Sequence, residues 1–314
     1  MSFLSPNTLA LVLCENKVSS VFSSCPLVVL GVDDGTIHVL AQMNVPWGTK
    51  IHRSEGGFIL EPDHYGQPAH LYSADLSTHE EIPDPRYVSS SGRTVAVLTT
   101  RSAPPNSGVW TIYAIHPVPL PTVEKVREVT GDLQAVNDHE IVIRVNDTIR
   151  TEALDGKVLG TFVVKPRSKE QATAQFAGQD RLYASTWHHD RIIDVNGKEL
   201  LKLRAPSGWG FDRLSTDGTR LVYDHYTQSF LKTLAQNTLA LGTLGVGAVD
   251  EKDDREAIRV LDTTTGKACF DWKAPRHLID TRDHADISPD GKLVAVAAGG
   301  TLTVYRLPDS CTQE

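Results

Sequence analysis

The stretch 287–308, "ISPDGKLVAVAAGGTLTVYRLP", decides the fold. It begins with a short apolar segment, turns at Pro289-Asp290-Gly291, and continues as the alternating run "KLVAVA". A second turn at Gly299-Gly300 leads into another alternating run, "TLTVYRL". Asp-Gly and Gly-Gly between runs of period two are strong hairpin signals. The stretch therefore predicts three consecutive antiparallel strands joined by tight turns.

The same succession of turn and alternating strand recurs along the chain. Clear copies are "LSTDGTRLVY" at 214–223 and "VSSSGRTVAVLTTR" at 88–101, and weaker ones include "FAGQDRLYAST" at 176–186 and "AVNDHEIVIRV" at 135–145. Counting all copies gives seven units, and 314 residues divided by seven is about 45 residues a unit, close to the ~40–45 residues of WD-type repeats. Sustained helical periodicity with caps is absent from the sequence, which disfavours a parallel α/β fold. The sequence predicts an all-β, seven-bladed β-propeller that occupies residues 1–314 as one domain.

The two ends of the chain suggest how this ring closes. The last unit supplies only three strands, whereas the apolar segment "TLALVLCE" at 8–15 precedes the first full unit. Lending that segment to the final blade would leave no open sheet edge. We therefore expect the N-terminal strand to complete the last blade.

The stretch 287–307 resembles the blade signature of WD-repeat proteins and of the quinoprotein-like, YVTN-type bacterial propellers. No unit ends in a Trp-Asp pair and none opens with Gly-His, so the resemblance favours the bacterial, WD40-like group over the WD family proper. It implies a repeat protein that works mainly as a protein-binding platform, and in some members as an enzyme. The propeller fold by itself hosts many functions.

Composition excludes some classes of function. A net charge of −8 argues against a general nucleic-acid surface, which would require a basic face. The N-terminal segment lacks a basic leader and its apolar run is too short to span a bilayer, so we expect no membrane span. The chain suits a cytoplasmic protein or the mature form of an exported one. The scattered cysteines Cys14, Cys25, Cys269 and Cys311 indicate buried apolar residues, with one or two disulfides left open.

A group of His, Asp and aromatic residues is predicted to lie on one face of the ring. In a blade whose strands are labelled a to d from the axis outward, the b–c and d–a connections share a face. The residues predicted there are Asp63, His64, Tyr65, Trp187, His188, His189, Trp209, Asp224, His225 and Tyr226. Histidine can bind a metal or titrate near neutrality, but the blades concerned are not all adjacent. We interpret the set as a ligand or partner face, with incidental surface loops as the alternative, and predict no metal.

A second set of charged residues is predicted at the mouth of the central channel, where the innermost strands begin. Its members are His52, Arg86, Asp132, Arg213, Asp283 and His284. They could hold a small anion or a substrate at the axis, or they could pair with one another around water.

A long connection at about 227–256 interrupts the sixth unit. It is rich in leucine and ends in the acidic run "DEKDDRE". Connections of this length are usually functional or disordered. We expect either an extra hairpin or an apolar patch for a partner, beside the face that carries His225.

The sequence favours a non-enzymatic binding or scaffolding propeller for a protein or small-molecule ligand. It contains no G-x-S-x-G elbow, phosphate loop or HExxH motif, so we predict no catalytic residue and no cofactor. The alternative is a propeller-type lactonase, hydrolase or quinone-dependent dehydrogenase with its site at the channel mouth. A quinone would need stacking tryptophans, for which the candidates are Trp110, Trp187 and Trp209.

Overall fold

The computed structural model describes 17 segments of the chain, and all statements about structure refer to them. They are residues 1–14, 24–33, 36–55, 57–62, 67–76, 79–83, 85–89, 91–102, 107–116, 122–145, 148–163, 173–186, 189–203, 209–225, 257–273, 285–298 and 300–311. These residues form 26 β-strands, and the part of the chain so described contains no helix long and apolar enough to cross a membrane.

The strands assemble into antiparallel sheets whose members follow one another in the chain. The first sheet contains β1 (Ser2–Ser5), β2 (Thr8–Val12), β3 (Ser24–Asp33) and β4 (Thr36–Pro46), and the second contains β5 (Lys50–Ser54), β6 (Gly57–Glu61), β7 (Ala69–Ser73) and β8 (His79–Ile82). A seven-stranded sheet contains β9 (Pro85–Val88), β10 (Thr94–Ser102), β11 (Ser107–His116), β12 (Thr122–Val136), β13 (Glu140–Val145), β14 (Thr148–Ala153) and β15 (Val158–Val163).

The C-terminal half of the chain forms three further sheets. The first holds β16 (Thr173–Phe176), β17 (Arg181–Thr186), β18 (His189–Asp194) and β19 (Glu199–Leu203), and the next holds β20 (Trp209–Leu214), β21 (Arg220–His225), β22 (Ala257–Asp262) and β23 (Ala268–Lys273). The last sheet has three strands, β24 (Ala285–Ile287), β25 (Leu293–Ala298) and β26 (Thr301–Arg306). These three strands confirm the prediction made for the stretch 287–308, although β24 starts two residues earlier.

Apolar clusters between neighbouring sheets close the strands into a ring. Leu4 and Leu27 of the first sheet pack with Phe58 of the second, and further clusters join each sheet to the next along the chain. The ring closes where Phe3 and Leu9 pack with Ala295 of the last sheet. This arrangement is an all-β propeller, as the sequence predicts.

The described residues form five separate blades instead of the seven predicted. The remaining strands belong to the one seven-stranded sheet, which is continuous through β12. At Asp132, β12 changes its partner from β11 to β13. Gly131 directly precedes this change and has a φ of 146°, a conformation open to glycine at little cost.

The predicted closure by the N-terminal strand is wrong for the described residues. The segment 8–15 contributes β2, which pairs with β1 and β3 inside the first sheet. Leu9 and Ala10 point to opposite faces of the sheet, and both are fully buried. An outermost blade strand would not bury both of its faces. The last sheet is joined to the first by packing and by a hydrogen bond that the Phe3 amide donates to Asp286 Oδ2 at 2.5 Å.

The turn between the first two strands of a blade repeats a Ser-x-Asp-Gly motif. In two copies a serine hydroxyl, Ser215 or Ser288, donates to the following aspartate at 2.6 and 2.7 Å. Neighbouring turns also touch, since the amide of Asp217 donates to Pro289 O at 3.1 Å. These turns therefore lie on one face of the ring, here called the a–b face. The opposite face, where the second strand connects to the third, is the b–c face.

The cysteines form two disulfides, so their interpretation as buried apolar thiols is wrong. Cys14 bonds to Cys25 across the β2–β3 connection, and Cys269 on β23 bonds to Cys311 beyond β26. The loops closed span 11 and 42 residues, which in the chain-entropy account stabilises the fold by roughly 3 and 4 kcal/mol. The second bond fastens the C-terminal segment to the neighbouring blade. Such bonds persist in oxidising compartments.

Candidate functional site

Two tyrosines, a serine and an aspartate meet in the interface between the β16–β19 and β20–β23 sheets. The hydroxyl of Tyr223 donates to Asp190 Oδ2 at 2.7 Å, and the Ser185 hydroxyl donates to Asp190 Oδ1 at 2.7 Å. Tyr183 lies beside them, and the exposed fractions of Tyr183, Tyr223 and Asp190 are only 2, 0 and 8%. A buried carboxylate costs several kcal/mol unless donors surround it. The two hydroxyls supply those donors, and we call Tyr183, Ser185, Asp190 and Tyr223 the Asp190 cluster.

Both tyrosines of the Asp190 cluster stay protonated at ordinary pH. Burial, followed by the charge of Asp190, raises the pKa of Tyr183 well above its usual range. Burial, followed by the neighbouring Tyr183 and by Asp190, raises the pKa of Tyr223 further. Because a phenolate would face a carboxylate in a site shielded from water, each tyrosine remains a neutral hydroxyl. The cluster therefore fixes the ends of β17, β18 and β21.

These strand ends lie on the b–c face, where the sequence predicts a ligand or partner site. His189 opens β18 opposite Thr186, and in the next sheet Trp209 pairs with His225. Asp224 pairs with Gly210 and is half-buried. The backbones of His189, Trp209, Asp224 and His225 thus lie at one end of two neighbouring blades. Six other predicted residues of this face, Asp63, His64, Tyr65, Trp187, His188 and Tyr226, fall outside the described residues, as does the connection 227–256.

At the start of β5, a histidine predicted for the channel mouth pairs with a carboxylate. His52 Nε2 lies 2.6 Å from Glu61 Oε2, and Lys50 Nζ lies 3.3 Å from Glu61 Oε1. Burial acts to raise the pKa of Glu61, but the hydrogen bond and charge of His52, with Lys50, outweigh it and lower the pKa overall. Glu61 is therefore an anion held between two bases.

The other described charges of the channel mouth also lie against partners. Asp132 Oδ2 lies 2.5 Å from Arg144 Nη2, and Gln134 donates to Asp132 Oδ1 at 2.7 Å. Arg213 Nη1 lies 3.0 Å from Asp286 Oδ1. Arg86 is half-buried on β9, and Asp283 and His284 fall outside the described residues.

Asp286 interacts with residues of three other sheets. Its carboxylate accepts hydrogen bonds from Arg213 and from the Phe3 amide. It is also the carboxylate whose charge acts most strongly on Arg53. Burial lowers the pKa of Arg53, although the charge of Asp286 acts to raise it. The Arg53 side chain also donates a hydrogen bond to Thr216 Oγ1 at 2.5 Å. Four elements far apart in the sequence, β1, β5, β20 and β24, therefore meet around one carboxylate.

Of the ion pairs just described, Arg213–Asp286 joins two sheets. His52–Glu61 and Asp132–Arg144 each join neighbouring strands of one sheet. Within the described segments no three His, Cys, Asp or Glu side chains come together as metal ligands would.

Exposed apolar side chains on the b–c face were not predicted from the sequence. Trp47 is 45% exposed in the connection between β4 and β5, and Leu13 is 49% exposed just after β2. Val145 and Val163, which end β13 and β15, are 46 and 60% exposed. The signal for Trp47 was present, since a tryptophan between Pro46 and Gly48 in a turn has little core to join. Leu13 and Trp47 follow strands of the first sheet, whereas Val145 and Val163 end strands of the seven-stranded sheet, so two sheets contribute exposed apolar side chains to the b–c face.

Comparison with known proteins identifies the fold and no family. No protein-family model and no curated protein matches this chain. Among solved structures, a chain of the mitotic checkpoint complex aligns over 98% of this chain and 89% of its own, with a TM-score of 0.56 and 12% identity. A 6-phosphogluconolactonase-like protein from Bacteroides uniformis aligns over 96 and 92%, with a TM-score of 0.54 and 13% identity. An oligogalacturonate lyase in complex with manganese aligns over 91 and 83%, with a TM-score of 0.50 and 12% identity.

These likenesses define the class of protein as a β-propeller. At 12 to 13% identity they carry no information on activity, because one fold hosts many functions.

Proposed function

We propose that the protein is a non-enzymatic binding propeller that holds a protein partner on its b–c face. The observation that carries this proposal is Trp47, a tryptophan left 45% exposed on that face. Leu13, Val145 and Val163 add apolar area to the same face. Tryptophan is among the residues that contribute most to protein interfaces, where it fills a pocket of the partner.

Polar residues complete such an interface. His189 begins β18, and His225 ends β21 directly after Asp224; the buried Asp190 cluster holds these two strands in place. Rigid placement favours binding because less side-chain and loop entropy is lost on association. The ion pair between Arg213 and Asp286 supports the same proposal, since it joins two blades and gives these two charges a structural role.

Site-specific photo-crosslinking tests the proposal. A benzophenone amino acid in place of Trp47 should crosslink a partner, because that position lies on the b–c face. The same amino acid in place of Thr264, an exposed residue in the β22–β23 connection of the a–b face, serves as the control and should crosslink nothing. Crosslinking to the same partner from Thr264 alone would contradict the proposal.

The alternative is an enzyme with its site at the channel mouth. The observation in its favour is the contact of 2.6 Å between His52, which is partly exposed, and Glu61, since a histidine beside a carboxylate is a common general base. Turnover of a lactone or ester that is lost in the variant His52→Gln would favour this alternative over the binding function.

We also propose that the ring contains seven blades, with the seven-stranded sheet folded into two of them at Gly131. Ala96 and Trp110, on β10 and β11, pack against Ile141 and Ile143 on β13. Members of one flat sheet could not make such face-to-face contacts. An experimental structure with β12 running straight through Gly131 would contradict this count.

A further inference from the structure

The last blade lacks an outer strand among the described residues. Its sheet has three strands, whereas each of the other described sheets has at least four. Within the described segments β26 pairs with β25 alone. The amide of Leu307 donates to Lys292 O across this ladder. Because donors alternate along an antiparallel strand, the amides of Leu302, Val304 and Arg306 point outward, away from β25.

A cleft of about 500 Å³ lies beside this open edge. On one side it is lined by Leu302, Thr303, Val304 and Arg306 of β26, with Leu293 of β25. On the other side it is lined by the first sheet, through Asn7, Val32, Asp33 and Ile37. The cleft thus lies between the first and last sheets and reaches β26, the strand beside which a fourth strand of the last blade would run.

The first sheet presents uncovered apolar side chains to the same place. Ile37 pairs with Val32 and Val39 pairs with Leu30, so in each pair both side chains share a face of the sheet. Leu30 belongs to the cluster that packs against the last blade, which identifies that face. Ile37 is 44% exposed and Val39 is 61% exposed, so the apolar surface continues outward beyond the part that the last blade covers.

One charge marks the end of the open strand. Arg306 is exposed, lines the cleft, and makes no ion pair within the described part of the chain. Asp33, the acid among the residues that line the cleft, lies 3.8 Å from His38. The cleft therefore offers outward-pointing amides and an apolar wall, with one cation at the end where β26 leaves the blade.

We propose that β26 accepts an extended segment of another protein, which adds to the last blade as its fourth strand. The segment would run antiparallel to β26, with apolar side chains at alternate positions facing Ile37 and Val39. A carboxylate near its N-terminal end would meet Arg306. Main-chain hydrogen bonds supply the affinity in strand addition, and the alternate side chains supply the selectivity. This surface is distinct from the b–c face.

A charge-swap experiment with synthetic peptides tests the proposal. The probe is a fluorescent peptide with one N-terminal glutamate followed by alternating valine and threonine, measured by fluorescence anisotropy against the full chain. We expect saturable binding, weakened roughly fivefold to tenfold by Arg306→Glu, because an attraction at the rim becomes a repulsion. A peptide with lysine in place of the glutamate should bind the Arg306→Glu variant better than it binds the wild type. Circular dichroism and urea unfolding verify that the variant is folded.

Two further measurements separate this occupant from others. A peptide N-methylated at the amides that would face β26 should lose binding, since strand addition requires those donors. No saturable binding, or equal binding to both charge forms, overturns the proposal.

A wild-type chain that sediments as a dimer and excludes the peptide indicates a second copy as the occupant. A peptide that binds only after deletion of 237–249, a segment that begins with the same "NTLAL" as residues 7–11, indicates the chain itself. Either of these two results also overturns the proposal.

Discussion

Replacing Asp286 by alanine is expected to lower the free energy of unfolding by roughly 3 kcal/mol or more. The Asp286 side chain is 7% exposed and pairs with Arg213 at 3.0 Å. It also accepts the Phe3 amide at the junction of the first and last blades. Removing the carboxylate leaves a buried amide without an acceptor and takes away the charge that faces Arg213 and Arg53. Urea unfolding followed by circular dichroism measures the loss.

A surface ion pair provides the matched control for this prediction. Glu128 lies 2.8 Å from Lys125, and both side chains are more than half exposed. Exposed pairs contribute about 0–1 kcal/mol because water screens them, so Glu128→Ala should change stability little. A double variant of Asp286 and Arg213 should lose less than the sum of the single variants, since they remove one interaction. A loss for Asp286→Ala no larger than that for Glu128→Ala would show that Asp286 does not hold the ring together.

The second large effect is a loss of stability at alkaline pH. The pKa values of Tyr183 and Tyr223 are raised in the folded protein, whereas in the unfolded chain tyrosine titrates near pH 10. The stabilisation is therefore fully present below about pH 10. It is lost as the pH rises further, because the unfolded chain releases protons that the folded chain retains. Each tyrosine contributes a slope of up to about 1.4 kcal/mol per pH unit.

Variants of the Asp190 cluster separate the effect of tyrosine titration on stability from the effect of the contacts around Asp190. Tyr223→Phe should reduce the alkaline slope by up to about 1.4 kcal/mol per pH unit, since one titrating group is removed. Ser185→Ala removes a hydroxyl from the same carboxylate without removing a tyrosine, so it should lower stability while leaving the slope unchanged. The measurement is urea unfolding at several pH values from 8 upward. Equal slopes for wild type and Tyr223→Phe would mean that Tyr223 titrates normally in the folded state.

Local features of the fold could be predicted from sequence because local chemistry encodes them. Asp290-Gly291 fixes a tight turn, and Gly291 adopts a φ of 65°, which glycine tolerates well. Alternation in 293–298 and 301–306 then fixes the two strands that flank the second turn. The closure of the ring could not be predicted in this way. An apolar segment such as 8–12 suits an inner or an outer strand, and only the packing of Leu9 and Ala10 decides between them.

The candidate site shows the same limit. The sequence predicts that Asp224 and His225 lie at a strand end, and the register of β21 agrees with that placement. It does not reveal that Tyr223 donates to Asp190, since the two residues are 33 positions apart. Asp286 and Arg213 are 73 positions apart. Such pairs depend on how neighbouring blades face each other, which no local pattern records.

The central claim is that the b–c face binds a partner. It is tested most directly by calorimetry on the partner that is captured by the benzophenone amino acid placed at position 47. The dissociation constant should rise roughly tenfold or more for Trp47→Ala, as expected for a tryptophan at the centre of an interface. Leu200 is equally apolar in character and 48% exposed, but it lies on β19, the outermost strand of its sheet. Leu200→Ala should leave the dissociation constant within about twofold of the wild type. Unchanged affinity for Trp47→Ala, or a larger loss for Leu200→Ala, would contradict the account.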